Sequence, residues 1–452
     1  MARATMPRRQ MPEQENTRQA ELELYFGRFP DVPREVIVKE DILRHGVFFT
    51  PAALQDCEAY PIFFLGSRKR SFHILGTGGA DPEVLRQRES IRAPESLAIS
   101  GGQYGLRPTH VHVRLSSGSP YVVDMEDGRR VLRGDGAVLA DVGYPPVPKY
   151  RSKSFEDGTS YADVVFMYFG HQLHVASVTC VRQCQYFQAG VPCKFCDFGR
   201  IAMDMKNMGI TKVLTQPVDR VARVMETIFR EETGPTTPIS YCLTGGTITD
   251  EYNGLDDTAF YLQYLTAIKE RIGNRWPGIM MIEAKPEKDI KRFAETGPVS
   301  FMANLEVWDK HLFGDICPGK QQRVGWDEWV RRLVSAVDIL GQGNVFTNLV
   351  AGVEMAGPHG FPDVSAAVRS TTQGLDYLMS HGVLPTMCNF IGEPGSALGQ
   401  QGLVPLEYFI RVDQAWYETW QKYWLPPPSL VAGPIGPGRS TYGVSAFLDV
   451  GY

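Results

Sequence analysis

From about residue 160 onward, short apolar runs alternate with amphipathic segments, and that alternation restricts the chain to few architectures. "DVVFMYFGHQLHVASVTC" reads as two apolar strands around a tight turn at Gly170-His171. Thr215 is placed to cap a helix with Pro217 in its first turn and Val218, Val221, Val224, Met225 and Ile228 on its inner side. "PISYCLTGG" follows as a strand, then a helix near 256–271, then "GIMMIEA" and "VSFMANLEV". Trp326, Trp329, Val330, Leu333, Val337 and Leu340 recur at helical spacing, so one side of that helix can face a sheet. "NVFTNLVAGVE" and "GVLPTMCNF" supply two more strands, and a last helix near 405–424 stops before Pro426-Pro427-Pro428.

Continuous apolar strands, each followed by a helix, predict a parallel sheet buried on both faces. A closed eight-unit barrel takes about 250 residues, and this stretch is long enough for one, yet only six units are countable. The fold class expected is therefore α/β: a partial (β/α)6 TIM-like barrel over 159–452, after an amino-terminal α+β domain over 21–158 and a loosely ordered tail over 1–20. In such sheets the chemistry gathers beyond the carboxyl ends of the strands.

The amino-terminal part is short-stranded and turn-rich. "THVHVRLSS" alternates in strand fashion, and "SPYVVDMEDGRRVLRGDGAVLADV" breaks at Asp127-Gly128 and Gly134-Asp135-Gly136. The glycine-rich "HILGTGGADPE" at 73–83 reads as a loop, and His110 and His112 are too few to make a metal site. A formal net charge of −5 leaves no general footprint for nucleic acid, and "SRKRS" at 67–71 reads as solvated surface. The amino terminus lacks the apolar core of a signal peptide, and no run of eighteen apolar residues occurs. The expectation is a cytoplasmic protein with neither nucleic acid nor membrane as partner. In that compartment clustered cysteines are more often metal ligands than disulfides.

Four of the eight cysteines fall within "TCVRQCQYFQAGVPCKFCDFG", which follows the first barrel strand. Cys193-Lys-Phe-Cys196 has a spacing that lets two thiolates reach one metal centre, with Cys184 and Cys180 upstream. Zinc would take all four in a closed tetrahedral site. A cubane [4Fe–4S] cluster held by three would leave one iron open. Spacing alone leaves both readings standing.

Here the chain resembles the radical S-adenosylmethionine (SAM) superfamily, in which three cysteines after the first strand of a partial (β/α)6 barrel hold the cluster. The final pair there brackets an aromatic residue, as Phe195 does here. The familiar Cys-x3-Cys-x2-Cys spacing is not kept, because Phe187 stands where the third cysteine would follow Cys180 and Cys184. The resemblance is to a variant with a lengthened first gap, Cys184-x8-Cys193-x2-Cys196, including a group encoded beside nitrilases. Cys180 is then surplus.

Further motifs carry the resemblance at strand ends. "LTGGT" resembles a Gly-Gly-Glu motif and implies that Gly245 and Gly246 meet the SAM amino group, with Thr247 in place of the acid. "ANLEVWDKHLFGDICPGKQQR" resembles the biotin synthase branch and implies Asn304 and Glu306 on the ribose hydroxyls. It places Arg323 on the SAM carboxylate, with Lys320 as the nearby competitor. "TNLVAGVE" implies Glu354 near the adenine, and "IGEPGSALG" resembles the sixth-strand loop.

The resemblance implies a [4Fe–4S] cluster and SAM as cofactors. Reductive cleavage of SAM would give a 5′-deoxyadenosyl radical that takes hydrogen from a small-molecule substrate, with a reductase such as flavodoxin or ferredoxin as electron donor. Cys57, Cys242, Cys317 and Cys388 are scattered, unlike a cysteine-rich extension for auxiliary clusters, and no Asp-x-His-x-x-Gly stretch suggests cobalamin. The amino-terminal domain is expected to cover part of the barrel mouth. The competing expectation is a zinc-stabilised binding protein using Cys180, Cys184, Cys193 and Cys196, without redox chemistry.

Overall fold

A computed structural model describes residues 18–64, 90–116, 118–169, 174–198, 213–392, 395–423 and 446–450. The "SRKRS" stretch, the 73–83 loop, the Gly170-His171 turn, the triple proline and Glu393-Pro394 of the sixth-strand loop lie outside these residues.

The chain opens with helices α1 (Arg18–Arg28) and α2 (Arg34–His45). Arg18, Gln19 and Ala20, read from sequence as part of the tail, already belong to α1. Strands β1 (Phe48–Phe49), β4 (Ser96–Gly101), β5 (Leu106–His112), β6 (Tyr121–Glu126), β7 (Arg129–Gly134) and β8 (Ala137–Gly143) form one sheet in the order β1-β6-β7-β8-β4-β5. Strands β2 (Ile62–Phe64) and β3 (Ser90–Arg92) make a separate ribbon. The meander turns at Asp127-Gly128 (φ 48 and 76) and Asp135-Gly136 (φ 50 and 86). Positive φ at both central residues is what a two-residue hairpin needs to match strand twist, so the Asp-Gly pairs are conformational requirements.

The second sheet holds β9 (Phe166–Phe169), β10 (His174–Val181), β11 (Ser240–Gly245), β12 (Gly278–Met281), β13 (Val299–Met302), β14 (Val345–Ala351) and β15 (Leu384–Asn389), in sequential order. β9 runs antiparallel to β10, and the six strands from β10 to β15 are all parallel. The intervening helices are α3 (Gln185–Gln188), α4 (Val218–Glu231), α5 (Asp257–Ile272), α6 (Glu287–Glu295), α7 (Lys310–Ile316), α8 (Pro318–Arg323), α9 (Trp326–Leu340) and α10 (Val364–Ser380). Sequential order with right-handed crossovers puts the long crossover helices on one face, and strand twist then curls the sheet around its other face. The fold is a partial (β/α)6 barrel preceded by an α+β part.

Local sequence explains most boundaries. Asp256 accepts from the Ala259 amide at 2.7 Å and starts α5, which ends at Gly273 with φ 73. α9 buries Trp329, Val330, Leu333 and Ala336, the inner side that the spacing predicted. The α4 cap differs from expectation. The helix begins at Val218 behind Pro217, while Thr215 bridges to Val181 and its hydroxyl pairs with Tyr252 Oη at 2.7 Å. Proline disfavours helical geometry in the residue before it, so Gln216 could not open the helix and Thr215 could not cap it.

Helix α2 joins the two parts. Glu35 to Arg44 are all buried, although half of them are charged. A polar helix buried all round must lie between two bodies with each charge partnered. Towards its own sheet, Glu35 pairs with Arg107 at 3.0 Å, and Asp41 accepts from Arg44 and Tyr121, each at 2.5 Å. Towards the barrel, Lys39 Nζ donates to Asp449 Oδ2 at 2.6 Å in α12 (Ala446–Asp449), and Arg44 Nε donates to the Val404 carbonyl at 2.8 Å. Glu40 accepts from Asn389 Nδ2 at 2.5 Å, at the carboxyl end of β15.

Asp413, on the last barrel helix α11 (Leu406–Tyr423), faces the same cluster. Burial pushes its carboxyl well above the ordinary range; Glu40 adds to that shift, Lys39 opposes it and Asp449 adds to it again. A raised carboxyl holds more proton in the folded chain than in the unfolded one, so stability falls as pH rises above about 4, the unfolded Asp value. Asp413→Asn should remove this slope. Relative to wild type, its unfolding free energy should gain up to about 1.4 kcal/mol per pH unit above pH 4, read by denaturant titration across pH; a pH-independent difference would contradict the assignment.

Candidate metal and cofactor centre

β10 delivers the chain to the concave face, and the cysteine loop is then held from several sides. Arg182 N donates to the Leu214 carbonyl at 2.7 Å, and its guanidinium reaches the Asp163 carbonyl at 2.9 Å. Cys184 precedes the single turn α3, and Val191 N returns to the Tyr186 carbonyl at 2.9 Å. Gln185 N donates to the Thr247 carbonyl at 2.9 Å, tying the loop to the end of β11. Lys194 N donates to the Ile316 carbonyl at 2.8 Å, and its side chain pairs with Asp315 at 2.6 Å. Leu398 N donates to the Lys194 carbonyl at 3.0 Å from the other side.

Close approach of main chains makes this clamp possible. A Cβ on Gly246 would lie 2.2 Å from the Gln183 carbonyl oxygen and 2.6 Å from Cys184 Cα. One on Gly319 would lie 2.5 Å from the Tyr186 ring. One on Gly245 would meet Tyr261 Oη at 2.6 Å and the Val181 carbonyl at 2.7 Å. The Gly-Gly pair thus has a packing role that the sequence reading missed: it lets β11 lie against the cysteine loop.

Above the strand ends lies a cavity of about 280 Å3. Of the ten residues singled out from sequence, eight line it: Cys184, Cys193, Cys196, Phe195, Gly245, Gly246, Asn304 and Glu306. Burial raises the Cys184 thiol. Cys193 is raised well above its ordinary value, first by its hydrogen bond with the Cys317 thiol and then by burial. Cys196 is raised well above as well, by burial and then by Cys193 and Asp197. Three thiols that resist ionisation alone are deprotonated together only when a multivalent cation supplies the charge.

Among the described residues, no three Cys, His, Asp or Glu side chains gather closely enough to share one metal ion. Cys184, Cys193 and Cys196 all line the cavity, and three thiols match the donors of a cubane with one corner free of protein, one fewer than a closed zinc site takes. Cys180 is fully buried outside the cavity lining, next to Cys242, and so does not complete a four-thiol site.

Beyond β13 the chain turns sharply, with Glu306 in the left-handed region at φ 71. The turn is held by Glu306 N donating to the Asn348 carbonyl at 2.8 Å and Val350 N donating to the Glu306 carbonyl at 2.7 Å. Lys320 Nζ donates to Glu306 Oε1 at 2.7 Å and to the Asn304 carbonyl at 2.6 Å. Burial opposes the lysine charge, but Glu306, Cys193 and Cys317 outweigh it and keep Lys320 protonated. Asn304 Oδ1 is buried with no hydrogen-bond partner, an acceptor facing a site that lacks a donor.

Two residues singled out from sequence lie elsewhere. Arg323 is outside the cavity lining; its Nε donates to Glu283 Oε2 at 3.0 Å, and Tyr186 Oη donates to Glu283 Oε1 at 2.5 Å. Glu283 lines the cavity, so Arg323 acts behind the wall while its competitor Lys320 is in it. Glu354 is buried away from the cavity, accepting from the Gly352 amide at 2.9 Å and from the Thr371 hydroxyl at 2.5 Å, and also from Tyr408. These bonds tie a strand-end turn to two helices and leave the side chain out of ligand reach. Of the four scattered cysteines, Cys242 and Cys388 line the cavity and Cys317 touches Cys193, while Cys57 lies in the amino-terminal part against the Ala53 carbonyl.

No family model matches the chain, and no curated protein matches it. Solved structures similar to it include methylornithine synthase (14% identity over 61% of this chain and 68% of that one, TM-score 0.40). SuiB of Streptococcus suis bound to S-adenosylmethionine shares 11% identity over 55% of this chain and 45% of its own, TM-score 0.36. A radical SAM methyltransferase from Sphaerobacter thermophilus shares 15% identity over 67% and 76%, TM-score 0.36. At these identities and TM-scores, the strand order and the cavity of this chain carry the reading that follows.

Cys184→Ala, Cys193→Ala and Cys196→Ala should each lower bound iron from about four per chain to below about one, while Cys180→Ala retains it. Iron and sulfide analysis after purification without oxygen reads this directly; loss in the Cys180 variant with retention in the Cys184 variant would reverse the ligand assignment.

Proposed function

We propose that the chain is a radical SAM enzyme acting on a small molecule. The observation that carries this reading is the convergence of Cys184, Cys193 and Cys196 in one cavity at the carboxyl ends of six parallel strands, with the orphaned Asn304 acceptor and Glu306 on its wall. When bound together, a reduced [4Fe–4S] cluster and SAM supply a 5′-deoxyadenosyl radical that abstracts hydrogen.

The chain's own residues hold, orient and enclose. Three thiolates anchor the cluster and leave one corner free of protein. Asn304 Oδ1 would accept from a ribose hydroxyl of SAM, and Lys320 holds Glu306 by a direct hydrogen bond, so that its carboxylate could take a second hydroxyl. Tyr186, between Glu283 and the glycine contact at Gly319, fixes the wall next to the cysteine loop. The phenyl rings of Phe187, Phe195, Phe198 and Phe390 line the cavity and keep water away from a reactive carbon. The amino-terminal domain meets the barrel at Asn389, which also lines the cavity, so its docking bears on the shape of the mouth.

Among the described residues no helix is long and apolar enough to cross a membrane. We further propose a cytoplasmic setting, with a flavodoxin- or ferredoxin-type donor supplying the electron.

Chain purified without oxygen, supplied with SAM and dithionite, should release 5′-deoxyadenosine and methionine, at a rate lowered at least about tenfold by Asn304→Ala through loss of a cofactor contact. Colourless protein with one zinc per chain and no nucleoside released would overturn the reading.

A further inference from the structure

The floor of the cavity is chemically unlike its rim. Ser177 and Thr179 on β10 are each 1% exposed and line the cavity; the Ser177 hydroxyl bonds the Cys242 thiol, while the Thr179 hydroxyl has no hydrogen-bond partner. In register across the sheet, Ser177 sits opposite Cys242 and Thr179 opposite Thr244, and both of those residues also line the cavity. The result is a two-by-two patch of neutral polar groups, with the Ser177 hydroxyl beside the Cys242 thiol. Ser177 stands four residues before Val181, or about 13 Å along the strand, so the Ser177–Cys242 end of the patch is displaced from the loop that carries the candidate metal ligands.

Among the described residues, the charges that line the cavity have partners. Lys320 is the only described lysine or arginine in the lining, and it is committed to Glu306 and the Asn304 carbonyl. Glu283 is committed to Arg323 and Tyr186, and Asp257 to Lys285. An anionic head entering the floor would lose its water and meet no free cation among the described residues, and an ammonium would find the carboxylates of Glu306, Glu283, Asp257 and Asp197 already engaged. A neutral donor–acceptor group suffers neither loss and satisfies the Thr179 hydroxyl. Met281, Trp329, Val350 and Ile391 supply apolar wall for the rest of the guest.

We infer that this floor is a binding subsite for an uncharged hydroxyl or carboxamide head on an apolar body, recognised by Ser177 and Thr179. That the guest is the substrate rests on the function proposed above; the head-group preference does not.

The test uses four probes on one skeleton: cyclohexanol, cyclohexanecarboxamide, cyclohexanecarboxylate and cyclohexylammonium. Each is titrated into the full chain, purified without oxygen, by ligand-observed NMR or calorimetry. The alcohol and the carboxamide should bind at least about tenfold more tightly than the two ions. Ser177→Ala with Thr179→Val should weaken the neutral probes by about tenfold, the loss expected for two hydrogen bonds. Thr179→Ser, which keeps the hydroxyl, should bind as wild type does and guards against a folding artefact. Tighter binding of either ion, unchanged binding in the double variant, or no binding of any probe overturns the subsite. Iron content on the same samples separates the two readings: the head-group ranking without iron retains the subsite and removes the radical chemistry, and iron without the ranking does the reverse.

Discussion

The contact between Gly246 and the Cys184 backbone is the constraint on which the centre depends. Main chain at the end of β11 lies so close to the cysteine loop that no side chain fits between them. That approach allows Gln185 N to bond the Thr247 carbonyl, which fixes where α3 starts and hence where Cys184 points. The remaining anchors, from Lys194 to Ile316 and Asp315 and from Leu398 to Lys194, set the Cys193–Cys196 turn against elements more than a hundred residues away. Three thiols are thereby positioned by backbone bonds rather than by one another, as a site must be if its ligands are to be ready before the metal arrives.

Electrostatics then divides the cavity. At its rim three carboxylates of the wall are answered by cations: Glu306 by Lys320, Glu283 by Arg323 and Asp257 by Lys285. Deeper in, along β10 and β11, the groups are neutral and some lack partners. Paired charges at a rim tolerate a zwitterionic nucleotide, whereas a neutral floor selects what lies beyond it. The same logic governs α2, whose charges are buried only because each finds a partner in the sheet on one side or the barrel on the other.

What was legible in the sequence was local. Strand–helix alternation and the Asp-Gly turns each depend on residues near one another in the chain, and each reappears in the fold. What was not legible depends on contacts across the barrel. Lys320 and Arg323 are three residues apart on one short helix, and only the turn of α8 decides that the lysine faces the cavity and the arginine backs it. Glu354 follows a strand, as a ligand-binding acid would, yet Thr371 and Tyr408, from distant helices, take its carboxylate. Cys242 and Cys388 are far apart in the chain yet line one cavity, and Cys317 meets Cys193, which spacing cannot reveal.

The central claim is that three protein thiolates hold a cluster whose fourth corner is free of protein. Electron paramagnetic resonance of the dithionite-reduced chain, recorded with and without SAM, addresses that corner directly. The account predicts a reduced-cluster signal whose shape changes when SAM is added, because the nucleotide then coordinates the open iron. A cluster signal that stays the same at saturating SAM, or reduced protein with no cluster signal, would contradict it.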